Sequence, residues 1–289
     1  MKKLACLLAI GAVFYYVADE LPASVRNQDP LVSETDHDLD EGASVSIQSV
    51  IGTIRMETGD VPRAHLKTVK RGRDADLVSF QVESDRTALR VETRFPHQTT
   101  DLSIEIELTL PRKPFGRIAV SSVSGSIDLR NLEARTAKLS STSGKVRVNG
   151  LKGNLDLSSV SGSVDLAGLA GTKAEITITS GSLKGSAELK ELQIRSVSGG
   201  VTFDLVPPQE GGWSAKASLV SGNVTLRLPV AAGGTLELST LSGRLSSGLA
   251  LRPADGEGRK RSLRGSFGEG PGLVRLSTVA GNIRVDPLN

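Results

Sequence analysis

The chain has 289 residues, of which 38% are hydrophobic, 23% charged and only 3% aromatic, with a formal net charge of +3. That length and apolar fraction support a folded core in one or two domains. One cysteine excludes an intramolecular disulfide framework and any cysteine-based zinc site. The three histidines, His37, His65 and His97, are scattered without ligand spacing and read as surface residues, so His- or Cys-based catalysis is poorly supplied. The 31 glycines point to many tight turns joining slim strands rich in Leu, Val, Ile and Ala.

The N-terminus opens with Met1-Lys2-Lys3, and Leu4 to Ala18 then run without a charge. The run is short of the ~20 residues that a bilayer-spanning helix needs. A positive start, a short apolar stretch and small residues around Leu21-Pro22-Ala23 predict a secretory signal over 1–23, with an uncleaved anchor at 4–18 as the alternative. Cys6 is not a lipoprotein cysteine, because Lys3-Leu4-Ala5 precedes it and almost all of the apolar run follows it. The expected location is therefore extracytoplasmic: periplasm, cell surface or secreted.

Charge is segregated. Residues 19–41 hold eight acids and one base, whereas 42–289 carry 32 Lys/Arg against 24 Asp/Glu. The acidic stretch 24–42 reads as a solvated linker, or as a segment that folds back on the basic body.

A repeat dominates the rest. Corner glycines recur at Gly125, Gly144, Gly162, Gly181, Gly199, Gly222, Gly243 and Gly281, mostly preceded by Ser, with spacings of 18–19 up to Gly199 and later ones of 23, 21 and 38; an earlier copy is centred on Gly52. Seven before each Gly from Gly125 onward stand Ile118, Ala137, Leu155, Ala174, Leu192, Ala215, Leu236 and Val274; five before and two after are likewise all apolar. Two before stand Val123, Thr142, Val160, Thr179, Val197, Val220, Leu241 and Val279, and the alternation assigns them to the same buried face. Four after, only Gly185 and Ser247 break the apolar rule. The Gly52 copy has Val45, Ile47, Val50, Ile54 and Met56 at the corresponding offsets.

A unit this short cannot bury its apolar face except against a neighbour like itself. The pattern therefore predicts an all-β fold over 43–289: a single-stranded β-solenoid of about eight to nine coils of 18–23 residues, with Ser-Gly corners. An antiparallel sandwich of hairpins is the alternative, since Gly-containing pairs also make two-residue turns. Residues 59–115 interrupt the repeat with strand-like runs at Leu77–Val82, Ala88–Thr93 and Leu102–Leu110, predicting a small antiparallel β cap near the N-terminal end. Residues 249–272 predict an exposed, basic, Gly-rich loop near the other end.

From about Gly42 onward the chain resembles the DUF4097 group of exported bacterial β-strand-repeat proteins, often labelled adhesins. The resemblance rests on Val45-Ser46-Ile47 to Gly52-Thr53-Ile54, Leu108-Thr109-Leu110-Pro111, the serial Ser-Val-Ser-Gly corners, Gly265-Ser266-Phe267-Gly268, and Leu276-Ser277-Thr278-Val279-Ala280-Gly281-Asn282-Ile283. It implies the repeat fold and a non-enzymatic cell-envelope role, as scaffold or adhesin, or as a regulator of envelope stress acting through a protein or lipid partner. It carries no catalytic residues and no cofactor.

A polysaccharide-active enzyme would need clustered acids. The best candidates, Asp128, Asp165 and Asp204, alternate along their faces with Arg147, Lys184, Thr202 and Thr225, a mixed solvated column. Serines at offset −4 (Ser121, Ser140, Ser158, Ser218, Ser239, Ser277) and −3 (Ser122, Ser141, Ser159, Ser196) form ladders, read as corner hydrogen bonding or as a hydroxyl-rich contact face. Arg259, Lys260, Arg261 and Arg264 are the candidate contact for an anionic surface, whether envelope polysaccharide or anionic lipid. Gly256-Glu257-Gly258 lacks the strand–turn–helix context of a nucleotide site, and nucleic acid is not an expected partner.

Overall fold

The structure is a computed structural model and describes residues 30–95, 101–208, 210–253 and 261–288. The predicted signal segment, His97, Arg259 and Lys260 lie outside those residues.

The described chain is all-β. Before the repeat come β1 (Leu31–His37), β2 (Ser44–Gly59), β3 (Ala64–Arg71), β4 (Ser79–Ser84), β5 (Ala88–Arg94) and β6 (Ser103–Pro111). The repeat begins with two long, bending runs, β7 (Phe115–Ser143) and β8 (Val146–Ser198). It continues through β9 (Val201–Val206), β10 (Ser214–Ser221), β11 (Val224–Leu228), β12 (Gly234–Ser242) and β13 (Leu245–Ser247). The C-terminal strands are β14 (Arg252–Pro253), β15 (Ser262–Phe267), β16 (Gly272–Ala280) and β17 (Ile283–Pro287).

Successive repeats pair in parallel and in register. Gly52 lies opposite Gly125, Leu139 opposite Leu157, Leu183 opposite Val201, and Val201 opposite Val224. A two-residue hairpin joins only antiparallel strands, so this pairing removes the sandwich of hairpins. Like offsets stack on like offsets. The columns at −7, −5 and +2 are buried throughout, except Leu245, which is half-buried on the terminal rung. The break at Gly185 has a packing reason. Gly185 lies opposite Phe203, whose ring fills the space a side chain on Gly185 would take. A missing side chain thus accommodates a large one on the next rung.

Several expectations are corrected. The column two before each Gly does not face the core: Val123, Val160, Val197, Val220, Leu241 and Val279 are exposed. The hydroxyls at −3 point inward instead, with Ser122, Ser141, Ser159 and Ser196 all buried. Offsets −7, −5 and −3 share one strand parity, so −2 must point outward; the chain turns at the corner and resumes inward at +2.

The last two repeats do not stack in sequence order. β16 pairs in parallel with both β10 and β12, so the Gly281 unit sits between the Gly222 and Gly243 units. Part of the predicted basic loop is structured: β15 runs antiparallel along the outer edge of β12, and β14 pairs with β15.

The strands at the N-terminal end form a mixed set rather than a purely antiparallel one. β5 and β6 pair in parallel with the two halves of β2, and β4 and β3 then add antiparallel to them. The linker reading fails from Leu31 onward, because β1 pairs antiparallel with β3 along its whole length. Charge holds the segment there. Arg63 grips Asp38 through two hydrogen bonds of 2.7 and 2.6 Å, His65 meets Asp36 at 2.7 Å, and Arg86 meets Asp40 at 3.3 Å.

Candidate functional site

Each corner is built the same way. The strand arrives with its −5 and −3 side chains inward, turns through two outward residues and a glycine, and re-enters at +2. All nine corner glycines have positive φ, from +96° at Gly52 to +152° at Gly125 and Gly243. Because the corners stack, the outward −2 residues form one straight row. In stacking order it runs Val50, Val123, Thr142, Val160, Thr179, Val197, Val220, Val279, Leu241. The apolar members are between 43% and 61% exposed. Beside the row, at −1, stand the corner serines, such as Ser124, Ser161 and Ser198, all exposed.

Behind the row the −3 hydroxyls are enclosed. Ser49 donates to the Ile51 carbonyl at 2.7 Å, and Thr240 donates to the Gly281 carbonyl at 3.2 Å. Among the described residues, the buried hydroxyls of Ser122, Ser141 and Ser159 have no hydrogen-bond partner.

On another face, the strands after the corners border an open groove of about 420 Å³ lined by residues that include Arg147, Asp165, Lys184, Thr202, Asp204 and Arg227. The candidate acids are not brought together as an acid pair. Arg130 donates to Asp128 at 2.8 Å and, with its hydrogen bonds, holds that carboxyl below the usual carboxylate range. Lys145 meets Asp165 at 2.7 Å, and Arg227 donates to Asp204 at 2.7 Å. Each carboxylate is neutralised by a base on its own or a neighbouring rung, an arrangement that stabilises a mixed-charge strand face.

Of the basic loop, Arg261 and Arg264 are described. Arg261 is exposed, and its carbonyl accepts from the Thr240 amide. Arg264 meets Glu237 at 3.0 Å, and Arg275 shares the same carboxylate at 2.8 Å. Arg264 is therefore already engaged on the face of β12. His37 is half-buried rather than superficial. Its Nδ1 lies 2.8 Å from the Ser84 hydroxyl and its Nε2 lies 2.9 Å from the Thr35 hydroxyl. Burial pushes its pKa below the ordinary value of 6.5.

Among the described residues no group of three or more His, Cys, Asp or Glu is placed to hold a metal ion. No helix among them is long and apolar enough to cross a membrane. The feature that sequence reasoning misassigned is the exposed corner row. Its signal was the odd–even break between −3 and −2 in the offset pattern.

No curated protein matches the chain. Solved structures do. A "putative adhesin" from Parabacteroides merdae is 12% identical, with 88% of this chain and 95% of that chain covered and a TM-score of 0.43. A "putative adhesin" from Bacteroides fragilis is 12% identical, with coverage of 88% and 97% and a TM-score of 0.41. A "putative cell adhesion protein" from Clostridium sporogenes is 10% identical, with coverage of 90% and 100% and a TM-score of 0.31. The Toastrack DUF4097 family profile matches residues 102–286, more than half of the sequence and the whole run of corners from Gly125 to Gly281. The chain belongs to the Toastrack DUF4097 family.

Proposed function

We propose that this chain is a non-enzymatic, exported cell-envelope protein that works as a rigid β-solenoid scaffold or adhesin. The carrying observation is the in-register parallel stack of nine corners, covered at both ends by further strands. Eight intervals at ~4.8 Å make a rod about 38 Å long. Rods built this way present repeated side chains at fixed spacing, which suits contact with an extended surface or polymer. The ion-paired state of Asp128, Asp165 and Asp204 supports a structural role for those carboxylates rather than acid–base work. The positive start and apolar run at residues 2–18 support export.

The test has two arms. Mass spectrometry of the chain recovered from cell fractions is expected to find it outside the cytoplasm; intact Met1 in the cytosol overturns export. Co-sedimentation of the purified chain with isolated envelope polysaccharide and with envelope membranes is expected to recover it in the pellet. Loss from both pellets, at low and at physiological salt, overturns the adhesive reading.

A further inference from the structure

We propose that two copies of this chain associate side by side through the exposed corner row, independently of the envelope role argued above. Single exposed valines are ordinary, but contiguous apolar patches mark contact sites. Here seven of nine consecutive rungs place Val or Leu outward in one line, and the other two place Thr. The strip around the line is almost free of charge. Of the 27 residues at offsets −4, −2 and −1 over the nine corners, only Arg195 is charged. At the chain's own 23% charged fraction, about six would be expected.

That chemistry decides between occupants. An anionic headgroup or polyanion finds one cation on the strip and no cluster. A sugar chain finds no aromatic ring to stack on, since none of the 27 residues is Phe, Tyr or Trp. A second copy offers the same ~4.8 Å repeat, the same neutral hydroxyl and methyl surface, and an apolar row that leaves water at the same time. The contact would be isologous, the same patch on both partners, as in most homodimers. Its size suffices. A strip about 38 Å long and five strand residues wide covers roughly 650 Å² per copy, or ~1,300 Å² in all, within the range of specific interfaces.

The test is sedimentation equilibrium of the chain as recovered from cells, compared with Val160→Lys/Val197→Lys and with Asn149→Lys. Val160 and Val197 occupy the central rungs and are exposed, so lysine there is compatible with folding; circular dichroism and melting temperature verify this. Asn149 is exposed on the groove face, away from the row. Wild type and Asn149→Lys are expected at twice the single-chain mass at micromolar concentration. The double variant is expected at the single-chain mass, its dissociation constant raised roughly tenfold or more. A wild-type chain that stays at single-chain mass overturns the proposal, and so does a folded double variant that remains dimeric. If monomeric wild type binds neutral polysaccharide or uncharged vesicles and the double variant does not, the row belongs to that ligand and the proposal is likewise overturned.

Discussion

Gly162 rests so closely on Gly144 that the carbonyl of Gly144 occupies the space where a side chain on Gly162 would begin. Gly162 also has φ +131°, a conformation that L side chains rarely adopt. The corner therefore has two independent reasons to exclude a Cβ. Gly162→Ala is expected to destabilise by about 2–4 kcal/mol. Gly200, one residue past the corner at Gly199, has open space around it. Gly200→Ala is expected to stay within about 0.5 kcal/mol of wild type. Urea unfolding of the two variants checks the contrast, and equal midpoints would remove the stacking argument.

Val164 is fully buried at the +2 offset, while Asp165 is half-buried and paired with Lys145. Val164→Asp places a carboxylate among Val, Leu and Ile and is expected to cost several kcal/mol or to unfold the stack. Asp165→Ala removes a partly exposed ion pair, an interaction of about 0–1 kcal/mol. Thermal melts separate the two; similar shifts would mean that the strand faces are misassigned.

Ser159 carries a buried hydroxyl with no hydrogen-bond partner among the described residues. Such a group is held away from water without compensation. Ser159→Ala is expected to raise stability by about 1 kcal/mol, with the same direction for Ser141→Ala. A measured loss of stability at both positions would show that the hydroxyls are satisfied in solution.

His37 supplies a pH dependence. Its folded pKa is lowered by burial, so the unfolded chain binds more protons just below pH 6.5. The contribution is fully present above that value and is lost as pH falls through the lowered folded pKa. Wild type is expected to lose stability on acidification below pH 6.5 more steeply than His37→Asn. Denaturation midpoints at pH 7.5, 6.0 and 5.0 measure the difference, and parallel curves refute it.

Much of the fold was legible because the repeat writes its own register. Three columns that stay apolar from Gly125 to Gly281 identify the buried face without any structure, and the corner glycines mark each turn. The outward placement of Val160 was harder to see. Its residue type argues for burial, and only parity with Leu157 and Ser159, both inward, argues against it. β1 was obscured because Glu34, Asp36 and Asp38 resemble a solvated run. The partners of Asp36 and Asp38, His65 and Arg63, lie 29 and 25 residues downstream. The order of the last two rungs was not legible at all. Leu236 and Val274 satisfy the same offset equally well, and a periodic pattern does not number its copies.

That inverted order has a consequence for how the molecule is assembled. Among the described residues, neither β12 nor β13 pairs with a strand made before it; their partners, β15, β16 and β17, are all still to come. While the chain grows, β10 and β11 form the provisional end of the paired strands, and the following unit has no earlier strand to pair with. The final stretch from Ser262 to Pro287 thus acts as a keystone. It supplies both the rung that fills the gap and the strand that covers the outer edge of β12, so a chain stopped near residue 260 forfeits two rungs rather than one.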